Sequence, residues 1–461
     1  MKLPISAAMS ALGATLYDAD AAPLELRIST DTRTLQPGDA FLALRGARFN
    51  GHDYAGEAVA RGASLLVIDE PQARVAGTAA MLVARTNIAY MTLAGLARER
   101  FSGRVIAVTG SAGKTTTKAF LQQLLTARFG SRVAGSPGNE NNEIGVSKLL
   151  LAASDEQHDA VVVEMGARHP GDIETLVSFV KPEVGILTNI GDAHLEIMGS
   201  REQLAETKWA LFSHGARAVL NADDHTSVAR AAGLPEPPHW FAARDDDAPV
   251  TLDRATVVSG TRRLVDQRPG DRRELPIEVR IPGLHNRANL AAALAGALEL
   301  GVPLEAAAEK IAALRLPEGR FESIVMPQGW RIIFDAYNAS AAGTIAALDA
   351  LSGEPRERTI AVLGSMAELG EEAAALHERV GERAAACADV LIVTGDHGAA
   401  LARGARRAGV RAPLLLAVSS NAEAADWLLA NVRPGDVVFI KGSRKYRLEE
   451  IVERLRTVLH A

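Results

Sequence analysis

Short uninterrupted apolar runs recur along the chain. They include Phe41-Leu42-Ala43-Leu44, Leu65-Leu66-Val67-Ile68, Val105-Ile106-Ala107-Val108, Ala160-Val161-Val162-Val163 and Gly185-Ile186-Leu187. Further on come Ile332-Ile333-Phe334, Ile360-Ala361-Val362-Leu363, Val390-Leu391-Ile392-Val393 and Val437-Val438-Phe439-Ile440. Runs that skip the apolar-polar alternation belong to strands covered on both faces, as in a parallel sheet between helices. Helical stretches separate them, so the pattern predicts an α/β protein. Each of the last four runs is followed at once by a polar residue or glycine. This places Asp335, Gly364, Gly395 and Lys441 on one rim, at the carboxyl ends of strands, where open parallel sheets bind ligands.

A chain of 461 residues exceeds one ordinary hydrophobic core, and the pattern divides it in three. Residues 1–84 form a small α/β domain, with a polar, glycine-punctuated loop from Gly46 to Tyr54 between two of its strands. Residues 85–316 form a central parallel-sheet domain, and residues 317–461 a C-terminal, Rossmann-like one. The charged stretch from Arg244 to Arg273 breaks the alternation and is expected to be an exposed hairpin or flexible insertion. The first helix is expected to be capped by Ser6 and packed through Met9, Leu12 and Leu16.

Composition narrows the classes. A formal net charge of -6 opposes a main role in gripping nucleic acid, which needs a basic face. The single cysteine, Cys387, allows no intrachain disulfide and reads as core packing in a reducing compartment. No apolar run approaches the ~20 residues of a membrane span, so a cytoplasmic protein is expected.

Candidate chemistry begins at Thr109-Gly110-Ser111-Ala112-Gly113-Lys114-Thr115-Thr116, which lies between an apolar strand and a helical stretch. Glycines let backbone N–H groups approach phosphate oxygens, and the helix N-terminus favours the anion. Lys114 adds a fixed charge and Thr115 offers a hydroxyl to Mg²⁺. The strict phosphate-loop spacing would put glycine at 108, where this chain has Val108, so the match is a shorter Gly-x-x-Gly-Lys-Thr form. Glu164 closes a strand and His194 follows another. A carboxylate and an imidazole beside a triphosphate would complete the shell begun by Thr115. The amide-rich segments Gly138 to Gly145, with Asn141 and Asn142, and His285 to Asn289 can read a base edge or a peptide group, or simply turn and cap the chain.

Together these segments resemble the Mur ligase family over essentially the whole chain. The resemblance rests on an ordered series: Thr109 to Thr115, Gly138 to Gly145, Glu164-Met165-Gly166, Ala193 to Glu196, His285 to Asn289, Asp335-Ala336-Tyr337-Asn338 and Lys441-Gly442-Ser443-Arg444. It implies ATP bound with two Mg²⁺ ions. It assigns adenine to Asn289, the terminal phosphate to Arg320 and the ribose to Asp335. Lys208, in Glu206-Thr207-Lys208-Trp209, would be the lysine carried as a carbamate, a metal ligand with Thr115, Glu164 and His194. Thr30, Asp31, Arg33, Phe49 and His52 resemble segments that hold a UDP-sugar. Tyr337, Asn338, Lys441 and Arg444 would line the cleft for the incoming amine.

The implied reaction joins D-alanyl-D-alanine to a UDP-N-acetylmuramoyl-tripeptide through an acyl phosphate, by a protein acting as a monomer. Ser365, Ser147 and the segment Ala339-Ser340-Ala341 depart from the family pattern, which shows Asp at the first, Pro at the second and a Pro within the third. Two alternatives stand beside this reading. One is a family member that adds a single amino acid; the other is an ATP-binding regulatory protein without ligation.

Overall fold

The computed structural model describes residues 1–191, 195–245, 253–351, 353–408 and 414–459, arranged around three main sheets. The first has five strands in the order Thr15–Tyr17, Ala79–Leu82, Leu65–Ile68, Ala40–Leu42, Ile28–Ser29. Its four inner pairings show a parallel core with one antiparallel edge. A helix, Thr86–Arg100, then leads to the second sheet.

That sheet has nine strands, and its central strand Arg104–Thr109 lies between Ala160–Glu164 and Val184–Leu187, parallel to both. Alternate residues of this strand enter different cores: Val105 and Ala107 pack on one side, Ile106 and Val108 on the other. Burial on both faces is what the unbroken apolar run foretold. The chain places Ala160–Glu164 and Val133–Gly135 to one side of the central strand and all later strands to the other. The crevice at this reversal opens at the carboxyl ends, just where the 110–113 loop emerges.

The third sheet has six strands, in the order Glu322–Val325, Arg331–Phe334, Asp436–Lys441, Arg358–Leu363, Val390–Val393, Leu414–Ala417. All its pairings are parallel except the first. The predicted rim is present. Lys441 meets Asp335, the Gly364 N–H donates to the Lys441 carbonyl, and a side-chain carbon at Gly395 would press on Ser365.

Two local expectations need correction. The first helix, Ile5–Leu12, is entered from Pro4 and not capped by Ser6; the proline's φ of -58° already suits a helix start. The Arg244–Arg273 stretch is not an exposed or flexible insertion over its described part. Ala255–Ser259 joins the central sheet parallel to His239–Arg244, Arg263–Arg268 and Asp271–Pro276 continue it in an antiparallel meander, and the first two bury Val257, Val258, Leu264 and Val265. Its residues 246–252 lie outside the described residues.

The charges that hid this packing have partners in the interior. The helix Leu284–Glu299 lies across the sheet, buried along most of its length, and ends on Glu299. That carboxylate takes hydrogen bonds from Arg217, Arg254 and His239 at 2.8–2.9 Å. Burial alone would raise the pKa of Glu299, but the His239 and Arg254 contacts outweigh it and hold the pKa at about 2. A folded value below the ordinary 4.5 stabilises the fold above that pH, by up to about 3 kcal/mol, and the gain is lost as pH falls from 4.5 towards 2. Glu299→Ala is expected to strand three cationic or polar partners and cost about 3–5 kcal/mol. Thermal unfolding followed from pH 7 to pH 3 should show the variant's deficit shrinking as the wild type loses its advantage.

Candidate active site

The phosphate loop is built by steric exclusion as much as by sequence. Gly110 has φ +147° and Gly113 φ +82°, both unfavourable for a side chain. A methyl group at Gly110 would fall onto the Thr188 hydroxyl, and one at Gly113 onto the Asn289 side-chain oxygen. Asn189 and Thr188, at the end of the neighbouring strand, hold the loop's crest. The Asn189 carbonyl accepts from the Ser111 N–H, its side chain accepts from the Ala112 N–H, and the Thr188 hydroxyl donates to the Ala112 carbonyl at 2.6 Å. Thr116 is already buried in the helix Lys114–Phe129.

Two lysines converge on one carbonyl. The Lys114 ammonium donates to the Gly110 oxygen at 2.7 Å, and Lys208, on the helix Arg201–Trp209, reaches the same oxygen at 3.2 Å. Lys208 is 1 % exposed. Its burial, with the adjacent Lys114 charge, pushes its pKa well below the usual lysine range. Burial and then Arg320 also lower Lys114, against the pull of Glu164.

Glu164 stands opposite, buried at the end of its strand. Its Oε1 accepts from the Thr115 hydroxyl at 3.2 Å and from the Asn141 amide at 2.9 Å. That 3.2 Å separation is close to the edge, about 3 Å, of an octahedron with 2.0–2.1 Å bonds, so Thr115 and Glu164 fit a Mg²⁺ ion. His194 lies outside the described residues. Arg320 arrives from the far side of the crevice, its guanidinium 3.4 Å from the Thr115 hydroxyl. It stacks on the Tyr337 ring at 4.4 Å, with Arg444 5.4 Å from the same ring. The Tyr337 hydroxyl is buried and has no hydrogen-bond partner among the described residues.

Other predicted residues are engaged locally. Asn289 lies against the loop, its side-chain oxygen 3.5 Å from the Thr117 hydroxyl. Asp335 spends one oxygen on the Phe321 N–H and the other on Lys441 at 2.7 Å. Lys441 is itself buried and saturated by the Asp335 carboxylate, the Asp335 carbonyl and the Asn338 carbonyl. In this conformation the pair braces the 335–338 turn. The Asn338 side chain accepts from the next N–H, and Asn142 caps the helix Glu143–Ala152 by accepting from the Gly145 N–H.

In the first domain, Thr30 hydrogen-bonds Tyr90, whose hydroxyl burial pushes up to about 12. Arg33 grips Asp31 through two oxygens and holds it at about 2. Both Asp31 and Tyr90 feel charges of the central domain, Lys148 and Glu140 respectively, so the 30–33 turn faces the segment that carries Asn141. Phe49 is exposed and covers Gly46. His52 is buried with both ring nitrogens engaged, Nδ1 on the Asn50 side chain and Nε2 accepting from the Asp69 N–H. Here it acts as a brace for the loop. The sequence reading did not single out Lys118, Ser136, Tyr90, Thr188 or Asn189. Lys118 alone left a signal, as a lysine among the buried Thr117, Phe120 and Leu121 of an amphipathic helix.

The fold and the centre together define a three-sheet, phosphate-loop nucleotide-binding protein whose site is completed from a following α/β domain. Three family models cover most of the chain: Mur ligase family, catalytic domain, residues 27–100; Mur ligase middle domain, residues 108–297; and Mur ligase, glutamate ligase domain, residues 319–444. The chain belongs to the Mur ligase family. It is 34% identical over 439 residues to the UDP-N-acetylmuramoyl-tripeptide–D-alanyl-D-alanine ligase of Synechocystis, covering 93% of this chain and 91% of that one. The crystal structure of MurF from Acinetobacter baumannii superposes with a TM-score of 0.86 at 29% identity, over 99% of both chains. That of MurF ligase from Thermotoga maritima, in complex with ADP, gives 0.80 at 29% identity, over 94% of this chain and 98% of that one.

The tight fit of Gly113 generates a prediction. Gly113→Ala must strain a left-handed backbone and displace Asn289, at a cost of about 1–3 kcal/mol. ADP binding by calorimetry is expected to weaken by roughly ten- to a hundredfold.

Proposed function

We propose that this protein is an ATP-dependent ligase that joins D-alanyl-D-alanine to a UDP-N-acetylmuramoyl-tripeptide, a step of peptidoglycan precursor synthesis. One observation carries the proposal: Lys114, Thr115, Glu164 and Arg320, drawn from both sides of the crevice, converge at the phosphate loop. The names of its relatives supply the substrates, and the ADP in the Thermotoga maritima structure supports the nucleotide.

In this reading residues 1–84 take the UDP-sugar end, 85–316 the nucleotide and 317–461 the amine. Asn289 faces adenine, and Asp335 turns to the ribose once Lys441 shifts. The tripeptide carboxylate attacks the terminal phosphorus of ATP, the bond to ADP breaks, and an acyl phosphate results. The amine then attacks the acyl carbon and inorganic phosphate leaves, with loss of the amine proton. Lys114 and Arg320 offset charge on the transferring group, and the fixed loop N–H groups hold it in line. Thr115, Glu164, His194 and Lys208 would hold two Mg²⁺ ions, which when bound reduce repulsion between the carboxylate and the triphosphate.

Lys208 suits modification. A neutral amine adds CO₂ and releases a proton to give an anionic carbamate, and burial beside Lys114 disfavours the protonated form of this amine. On the sugar side, Thr30, Asp31 and Arg33 form the turn facing the segment of Asn141 and Asn142, and Phe49 and His52 belong to the 46–54 loop. On the amine side, Tyr337, Asn338 and Arg444 line the crevice. All these groups come from one chain, which suits a monomer. Among the described residues no helix is long and apolar enough to cross a membrane, and we place the protein in the cytoplasm with its nucleotide substrates.

Phosphate release should require ATP, the UDP-muramoyl-tripeptide and D-alanyl-D-alanine together. Turnover with a single amino acid in place of the dipeptide would reassign the amine, and turnover with ATP alone would reject ligation. Lys114→Ala is expected to lower kcat at least about a hundredfold. Removing dissolved CO₂ should slow the wild type and bicarbonate should restore it, whereas Lys208→Ala should respond to neither.

A further inference from the structure

Lys118 sits one helical turn beyond Lys114 and is only 4 % exposed. Its ammonium donates to the Ser136 carbonyl at 2.8 Å and the Gly138 carbonyl at 3.0 Å. It also lies 3.1 Å from Oε2 of Glu164, as an ion pair without the alignment of a hydrogen bond. An ammonium has three N–H donors. Two are spent on fixed carbonyls, so the charge is pinned against one particular oxygen of Glu164.

The two carboxylate oxygens are thereby made unequal. Oε1 faces Thr115 and Asn141, the side on which a metal ion would meet the Thr115 hydroxyl. Oε2 faces a cation that cannot leave without breaking two hydrogen bonds. The Glu164 backbone is held as well, because its N–H donates to the Ser136 hydroxyl of the same segment that Lys118 anchors. Rotation that would offer both oxygens to one ion is therefore opposed at the side chain and at the main chain.

Single-oxygen ligation suits Mg²⁺, which demands near-octahedral geometry, whereas Ca²⁺ takes six to eight oxygens and accepts bidentate carboxylates. We propose that Lys118 is a positioning residue that confines Glu164 to one-oxygen ligation and so sets a preference for Mg²⁺ over Ca²⁺. The inference rests on Glu164 being a metal ligand, as argued under the proposed function.

The test is equilibrium binding, independent of turnover. Protein saturated with a non-hydrolysable ATP analogue is loaded with Mn²⁺, read by electron paramagnetic resonance, and the Mn²⁺ is displaced by Mg²⁺ or by Ca²⁺. The ratio of the two displacement constants cancels the loss of one positive charge, because both competitors are divalent. The wild type should favour Mg²⁺ beyond the analogue's own preference, and Lys118→Met should shift the ratio towards Ca²⁺ by about tenfold or more. Lys118→Gln, which keeps an amide donor for the carbonyls, should shift it in the same direction and carries the test if the Met variant does not fold. An unchanged ratio in a folded variant, or a wild type with no preference of its own, overturns the proposal. Glu164→Gln separates the two readings. If it leaves Mn²⁺ binding at wild-type strength, Glu164 is no ligand and the metal assignment falls; if it weakens binding while Lys118→Met keeps the ratio, only the role of Lys118 falls.

Discussion

A carboxylate buried at a strand end, Glu164, is the constraint around which the centre is organised. Taking such a charge out of water costs several kcal/mol unless every side of it is answered. Here the Thr115 hydroxyl and the Lys118 ammonium, both on the phosphate-loop helix, and the Asn141 amide surround it. Satisfying one group therefore fixes that helix, the 136–142 segment and the strand Ala160–Glu164 relative to one another. The same segment faces the 30–33 turn of the first domain. The geometry around the phosphate loop is thus built by the partners that a buried carboxylate requires.

The cations obey a complementary logic. Lys114 and Lys208 share one carbonyl, Gly110, and two buried like charges cannot both remain protonated cheaply. The deeper one yields. Lys208 has only a carbonyl and a neighbouring ammonium for company, while Lys114 also feels Glu164. The two lysines are thereby made unequal, with the protonated form of Lys208 the more strongly disfavoured. This inequality needs no specialised residue, only unequal distance from a carboxylate.

Strand positions and the phosphate loop were legible because their physical causes are local. Strands buried on both faces must be apolar at every position, and a loop that wraps phosphate must have glycine where φ is positive. Long-range compensation was not legible. Charges such as Arg254 and Arg268 make the Arg244–Arg273 stretch read as an exposed hairpin or flexible insertion, yet Arg254 faces the buried Glu299, which lies 45 residues away in the sequence. The resemblance assigns His52 and Lys441 to substrates and Asp335 to the ribose, and here their polar atoms are engaged in bracing turns. Lys118 was passed over because a lysine on a helix is ordinarily a solvated one. Its interior role depends on two carbonyls that no motif marks.

Two unpaired groups lie where the third-sheet side meets the phosphate loop. Buried polar atoms normally find partners, and an exception marks a place prepared for something else. The Tyr337 hydroxyl and the Arg320 Nε are both buried without partners among the described residues, on the third-sheet side of the crevice. Arg320 nevertheless already reaches Thr115 on the other side, so the two halves meet at the phosphate loop. Tyr337 supports that reach by stacking, which restrains the guanidinium without using its N–H donors. An arginine held this way keeps its donors free for an anion arriving between the domains. The energy that would otherwise be gained by pairing these groups internally is withheld.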